Sequence, residues 1–83
     1  MNAPRAHLKG INLRFALLQG SNLSGTDMYG ADMYSAILTD SNLTYANLNG
    51  ANLSLAILTG ADLTGANLSG AILTGAETEG AKF

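Results

Sequence analysis

The chain has 83 residues, no cysteine, and six acids against four Lys or Arg, for a formal net charge of −2. That length sets one domain with an ordinarily thin core. The lack of cysteine excludes a disulfide framework and thiolate chemistry, and so low a charge gives no basis for a nucleic-acid partner.

Met1–Arg5 reads as a short lead or cap. Pro4 lacks a backbone donor and Arg5 is charged, and both discourage further strand pairing at that end. From Ala6 to Phe83 the chain runs in fives. The centre of each five is Leu8, Leu13, Leu18 and so on to Phe83, with Met28 and Met33 as variants and Thr78 as the one polar exception. Two residues before each centre the side chain is small, nearly always Ala, with Ile11 the large exception. All ten glycines fall two residues after a centre. Agreement on this scale is an internal repeat.

Neither a helix nor a plain strand repeats in fives. Within each five, the small residue and the centre are two apart, so an extended backbone sends both to one face and the polar residue between them to the other. The remaining hydroxyl residue and Gly suit a corner, because Gly accepts positive φ and Ser or Thr bonds nearby groups. Segments 16–25, 36–45 and 56–65 match best at a separation of twenty, and the polar slot turns aliphatic at Leu17, Ile37 and Ile57. Ile72 breaks that series. Twenty residues make four sides, which predicts an all-β square solenoid over 6–83, of about four coils and roughly 19 Å long at the usual strand spacing. Leu and Ala fill its inside.

Counting faces from Ala6 (6–10, 11–15, 16–20, 21–25, then repeating), the corner leaving the second face carries Phe15, Ser35, Leu55 and Gly75. The third face opens with Leu17, Ile37, Ile57 and Glu77 in its outward slot, and Tyr34 precedes the corner. Phe15, Leu17, Tyr34, Ile37, Leu55 and Ile57 therefore converge on one edge of an otherwise polar rod. Such a patch is of the size that tends to bind a partner, although stacked aliphatics also stabilise the ladder they belong to. Stacking also sets Lys9 beneath Tyr29 and Arg14 beneath Tyr34, as cation–π contacts or as cations extended into water.

Charge is uneven: Arg5, Lys9 and Arg14 lie at the N-terminal end, and the rest is acidic. At the far end the repeat decays into residues 76–83, where Glu77 and Glu79 read as blockers of end-to-end growth. Phe83 reads as a plug over the core or as an end contact with a second copy. No residue set suggests catalysis, a cofactor or a metal. His7 is the single histidine, Asp27 and Asp32 sit in successive polar slots as solvated or turn-bonding carboxylates, and the glycines are spread as corners rather than clustered around a phosphate. No leader of signal type and no apolar run of membrane length is visible, so a cytoplasmic protein without membrane insertion is expected.

The phrase A-[ND]-L-[ST]-G, as in residues 61–75, resembles the pentapeptide-repeat family, and the resemblance covers all but Met1–Arg5. It implies a right-handed quadrilateral β-helix with the centre and the small residue inward, in a family especially numerous in cyanobacteria. The expected function is a non-enzymatic scaffold or interaction module, binding a protein partner or a second copy through the apolar edge or the C-terminal end. Two alternatives are open, the first implied by the resemblance and the second allowed by the brevity of the chain and its bare C-terminal end. One is a DNA-mimicking inhibitor of gyrase, disfavoured because a rod this long would need on the order of ten negative charges. The other is an accessory subunit or fragment of a larger assembly.

Overall fold

The computed structural model describes residues 1–83. Each five ends in a hydrogen-bonded corner, with the N–H of the next small residue donating to the carbonyl of the centre, as from Ile11 to Leu8 at 3.1 Å and from Ala61 to Leu58 at 2.9 Å. The third residue of each turn has positive φ, which type II turns require and glycine supplies without steric cost. Six corners do this without glycine: Arg5, Phe15, Ser35, Asp40, Tyr45 and Leu55, with φ from 55 to 61.

The sides stack in parallel register on residues twenty further along, as in Leu17 on Ile37, Ile37 on Ile57 and Ile57 on Glu77. The Leu38 N–H donates to Ile57 O at 2.7 Å, and the Ile57 N–H donates back to Ala36 O at 2.9 Å. Four corners per twenty residues make a four-sided coil. Each side contributes a single bridged residue rather than a continuous strand. The reason is geometric: of five residues two belong to a corner, which leaves one position flanked on both sides by extended backbone.

The expected lead, Met1–Arg5, is itself a side of the solenoid. Asn2 pairs with Asn22, Arg5 N donates to Ser24 O at 2.8 Å, and Arg5 turns the corner at φ 58. Pro4 is compatible because it occupies the second turn position, where its fixed φ fits.

The interior is one cluster running from Leu18 to Leu63, with the centres of the middle coils fully buried and their alanines packed between them. Each buried Leu contributes ~2 kcal/mol of transfer free energy. Half-buried Ala3, Leu8, Ile11 and Leu13 cover it at one end and Leu68, Leu73 and Ala81 at the other, so large Ile11 is accommodated where packing is loosest. Phe83 does not act as a plug. It stays 62% exposed, because no following coil holds its ring over the core. Ile72 stacks on Asn52, on the second face, and so lies outside the aliphatic ladder.

Candidate functional site

Three of the four faces cap their own corners. The Asn or Asp side chain in the outward slot accepts the backbone N–H two residues on, as Asn42 does from Thr44 at 3.0 Å, Asn52 from Ser54 at 3.0 Å and Asn67 from Ser69 at 3.0 Å. The hydroxyl residue of the phrase often bonds the same oxygen rather than the backbone, as from Thr44 to Asn42 at 2.7 Å and from Thr64 to Asp62 at 2.6 Å. Both hydrogen bonds from Thr64 hold the Asp62 carboxyl below its ordinary value, with Lys82 adding a smaller attraction against the opposing cost of burial. Asp27 and Asp32 are such turn-bonding carboxylates, accepting from Tyr29 and Tyr34 at 3.2 Å.

The third face departs from this rule. Its outward slot holds Leu17, Ile37, Ile57 and Glu77, none of which caps the N–H two residues on. The N–H groups of Thr39 and Thr59 accordingly have no acceptor within the chain. Leu17 is 72% exposed, Phe15 62% and Leu55 49%, whereas Tyr34, Ile37 and Ile57 are half-buried against their neighbours. The structure thus brings the six edge residues together, with the three aliphatics in one ladder and Phe15 edge-on to Tyr34 at 5.7 Å between ring centres. Phe83 lies apart, at the end of the chain.

Arg14 fastens the N-terminal end of this edge. Its guanidinium lies 4.4 Å from the Tyr34 ring centre and 5.7 Å from that of Phe15, while Nη1 donates to Asp32 Oδ2 at 3.1 Å. That hydrogen bond is the main reason the Asp32 carboxyl is held below its ordinary value, assisted by the Tyr34 N–H and the Arg14 charge and opposed by burial. The ion pair was not anticipated from sequence. Its signal is a separation of eighteen, one coil less two positions, which sets Arg14 diagonally against Asp32. Lys9 Nζ likewise stands 5.3 Å from the Tyr29 ring centre.

A second feature lies at the corner leaving the fourth face. A shallow groove is lined by Pro4, Arg5, Ser24, Gly25, Thr44 and Tyr45, with the Arg5 side chain lying against the Gly25 corner. Its hydroxyl on Ser24 is engaged inside, donating to Asn22 at 2.8 Å. No three His, Cys, Asp or Glu residues converge as metal ligands, and His7 stacks beneath Asp27 on the first face. No helix is long and apolar enough to cross a membrane.

Comparison with known proteins matches these features. A family model described as pentapeptide repeats fits residues 6–44 and 36–75, in eight copies. No curated protein matches the chain. Among solved structures, the pentapeptide repeat protein Rfr23 from the cyanobacterium Cyanothece 51142 is 40% identical with a TM-score of 0.90, over 99% of this chain and 63% of that one. A pentapeptide repeat protein from the Arabidopsis thaliana thylakoid lumen is 31% identical with a TM-score of 0.76, over 96% of this chain and 60% of that one. HetL, a pentapeptide repeat protein involved in heterocyst differentiation regulation from the cyanobacterium Nostoc sp. strain PCC 7120, is 34% identical with a TM-score of 0.56, over 96% of this chain and 39% of that one. The chain thus spans less than two thirds of each of these relatives. With its five-residue phrase, its twenty-residue coil and these matches in agreement, the chain belongs to the pentapeptide-repeat family.

Proposed function

We propose that the chain is a non-enzymatic interaction module, a right-handed quadrilateral β-helix that presents its third-face edge to a protein partner. The observation that carries this reading is the contrast between faces. Three faces satisfy most of their outward N–H groups with Asn or Asp, His7 and Ile72 being the exceptions, whereas the third replaces every such cap, with aliphatics at Leu17, Ile37 and Ile57, and leaves the Thr39 and Thr59 donors open. Ladder stabilisation alone explains stacked aliphatics but gives no reason to forgo the caps. A partner that covers the edge gains apolar burial, at ~25 cal/mol per Å2, and can supply the missing acceptors. Phe15 and Tyr34 are the anchors, since buried aromatics dominate contact energy. Association in the cytoplasm is part of this proposal and is checked by fractionation of the host cell.

The DNA-mimic alternative finds little support, since six acids are opposed by four cations, one of them paired with Asp32. A role as one unit of a larger assembly is compatible with the edge, because the relatives are longer.

The test is affinity isolation from the host with the wild-type chain and a Leu17→Ser, Ile37→Ser, Ile57→Ser variant, both checked by circular dichroism. A specific protein captured by the wild type and lost by a folded variant is expected. Capture that is unchanged by the variant sinks the reading.

A further inference from the structure

We infer that Asn49–Gly50 is a self-modification site: the dipeptide deamidates without an enzyme, and the fourth coil, residues 66–83, holds the reaction shut. The inference is independent of the apolar edge.

Asn49 differs from the seven other asparagines of the chain. Those stand in the outward slot before a centre, six of them followed by Leu and Asn2 by Ala. The six before Leu each accept the N–H two residues on, as Asn47 does from Asn49 at 3.1 Å. Asn49 instead follows its centre and precedes a glycine, and its carboxamide bonds to no group of the chain. Glycine has no Cβ to shield its nitrogen, so no side chain on residue 50 obstructs its approach to the Asn49 carboxamide. The corner is also open outward, since a Cβ at Gly50 would meet nothing within 4 Å.

The chemistry needs only solvent. A base in solution takes the Gly50 amide proton, and the nitrogen attacks Asn49 Cγ. The new N–C bond forms, the Cγ–Nδ2 bond breaks, and ammonia leaves with a proton from water. Water then opens the five-membered imide at either carbonyl, which leaves aspartate or isoaspartate at position 49. Reactions of this kind make asparagine a thermolabile residue.

The gate is one hydrogen bond. The Gly50 N–H donates to Ser69 O of the fourth coil at 2.9 Å, from a corner held at φ 71. While that bond stands, the proton is withheld from solvent base and the nitrogen is fixed to the corner. Ser69 belongs to a coil that is weakly held. Leu68 and Leu73 are half-buried, and the centres at Thr78 and Phe83 are exposed. No side-chain hydrogen bond reaches from this coil to the one beneath, and the Asn67 side chain bonds only within its own side. The opposite end is tied by the Met1 amine to Ser21 Oγ at 2.9 Å and by Arg14 to Asp32 at 3.1 Å. Local opening begins where few buried contacts hold an element, so the fourth coil parts first and frees the Gly50 N–H.

The product locks the opening in. Isoaspartate lengthens the main chain by a carbon, and the corner then no longer aims its N–H at Ser69 O. The modification thus marks, irreversibly, a chain whose fourth coil has opened.

Peptide mass mapping of the full chain at mildly alkaline pH follows amide-to-acid conversion at position 49, and native-state hydrogen exchange follows the Gly50 N–H. Conversion should be at least about tenfold slower in folded wild type than in denaturing urea. Leu68→Ala, next to Ser69, should speed both conversion and Gly50 exchange by about tenfold. Leu13→Ala, at a half-buried centre of the first coil, should speed both far less. Circular dichroism confirms that each variant is folded, and the milder Leu73→Val replaces Leu68→Ala if the latter is not. Asn49→Ser, with a residue common in that slot, should remove the signal and keep the fold. The purified isoaspartate form should unfold at lower urea than wild type. Conversion as fast in the folded chain as in urea, conversion absent even in urea, or equal acceleration by Leu68→Ala and Leu13→Ala overturns the inference. An isoaspartate form as stable as wild type does so as well.

Discussion

The Tyr45 ring lies across the Gly65 corner of the next coil, so close that a Cβ at Gly65 would come within 2.5 Å of its Cδ1 and Cε1. Leu55 stands in the same relation to Gly75, where a Cβ would meet Cδ2 at 2.6 Å, and Asp40 does so to Gly60. A bulky corner thus leans on a glycine twenty residues later. That glycine serves twice, once for its positive φ and once for its missing side chain. At Gly70 only ordinary contact with Gly50 would arise. Gly70→Ala should therefore cost ~1–2 kcal/mol from left-handed backbone alone. Gly65→Ala should cost more, because the Tyr45 ring must also leave. In a Tyr45→Gly background the two costs should become equal. Urea denaturation measures each, and equal costs in the wild-type background would dismiss the corner stacking.

Inside and outside positions differ in energy although they are adjacent in sequence. Leu58 is fully buried, whereas Ile57 is half-buried on the ladder. Leu58→Ala should cost about 2–5 kcal/mol and Ile57→Ala well under half as much. Comparable losses in chemical denaturation would contradict the inward and outward assignment.

Ser41 occupies an inward slot that elsewhere is usually Ala, and its Oγ is buried without a partner. The hydroxyls of the same slot at Thr26 and Ser21 are satisfied, the first by Leu23 O at 2.8 Å and the second by the N-terminal amine at 2.9 Å. Ser41→Ala removes a desolvated group and should raise stability by roughly 1 kcal/mol. Thr26→Ala should lower it. A thermal midpoint that falls in Ser41→Ala would show that the hydroxyl is satisfied in solution.

Asp32 is held below its ordinary value of 3.8 by Arg14. Because the folded value is the lower one, the folded state binds protons less readily than the unfolded chain. The stabilisation is complete above pH ~4 and is lost as pH falls through the folded value. Arg14→Gln should move the Asp32 carboxyl back up in an NMR titration, and should flatten the acid limb of the stability curve. Unchanged titration of Asp32 in that variant would show that the ion pair is not populated.

The sequence alone determined the repeat, the four-sided coil, the inward Leu and Ala and the corner role of glycine, and it placed the six residues proposed as the apolar edge on one side of the rod. All of these follow from periodicities of five and twenty, and a period fixes which residues share a face and which stack. The cation–π contacts of Lys9 with Tyr29 and of Arg14 with Tyr34 were legible for the same reason. Tertiary structure decided what lies off the period. It showed Met1–Arg5 as a true side, because backbone bonds rather than the side-chain phrase define a coil. It also set Arg14 diagonally on Asp32, left Phe83 exposed, and laid Tyr45 over Gly65. Each of these depends on where a long side chain goes after leaving its Cα. Whether a backbone N–H finds an acceptor is likewise visible only once the chain is wound, and that is what separates the uncapped third face from the other three.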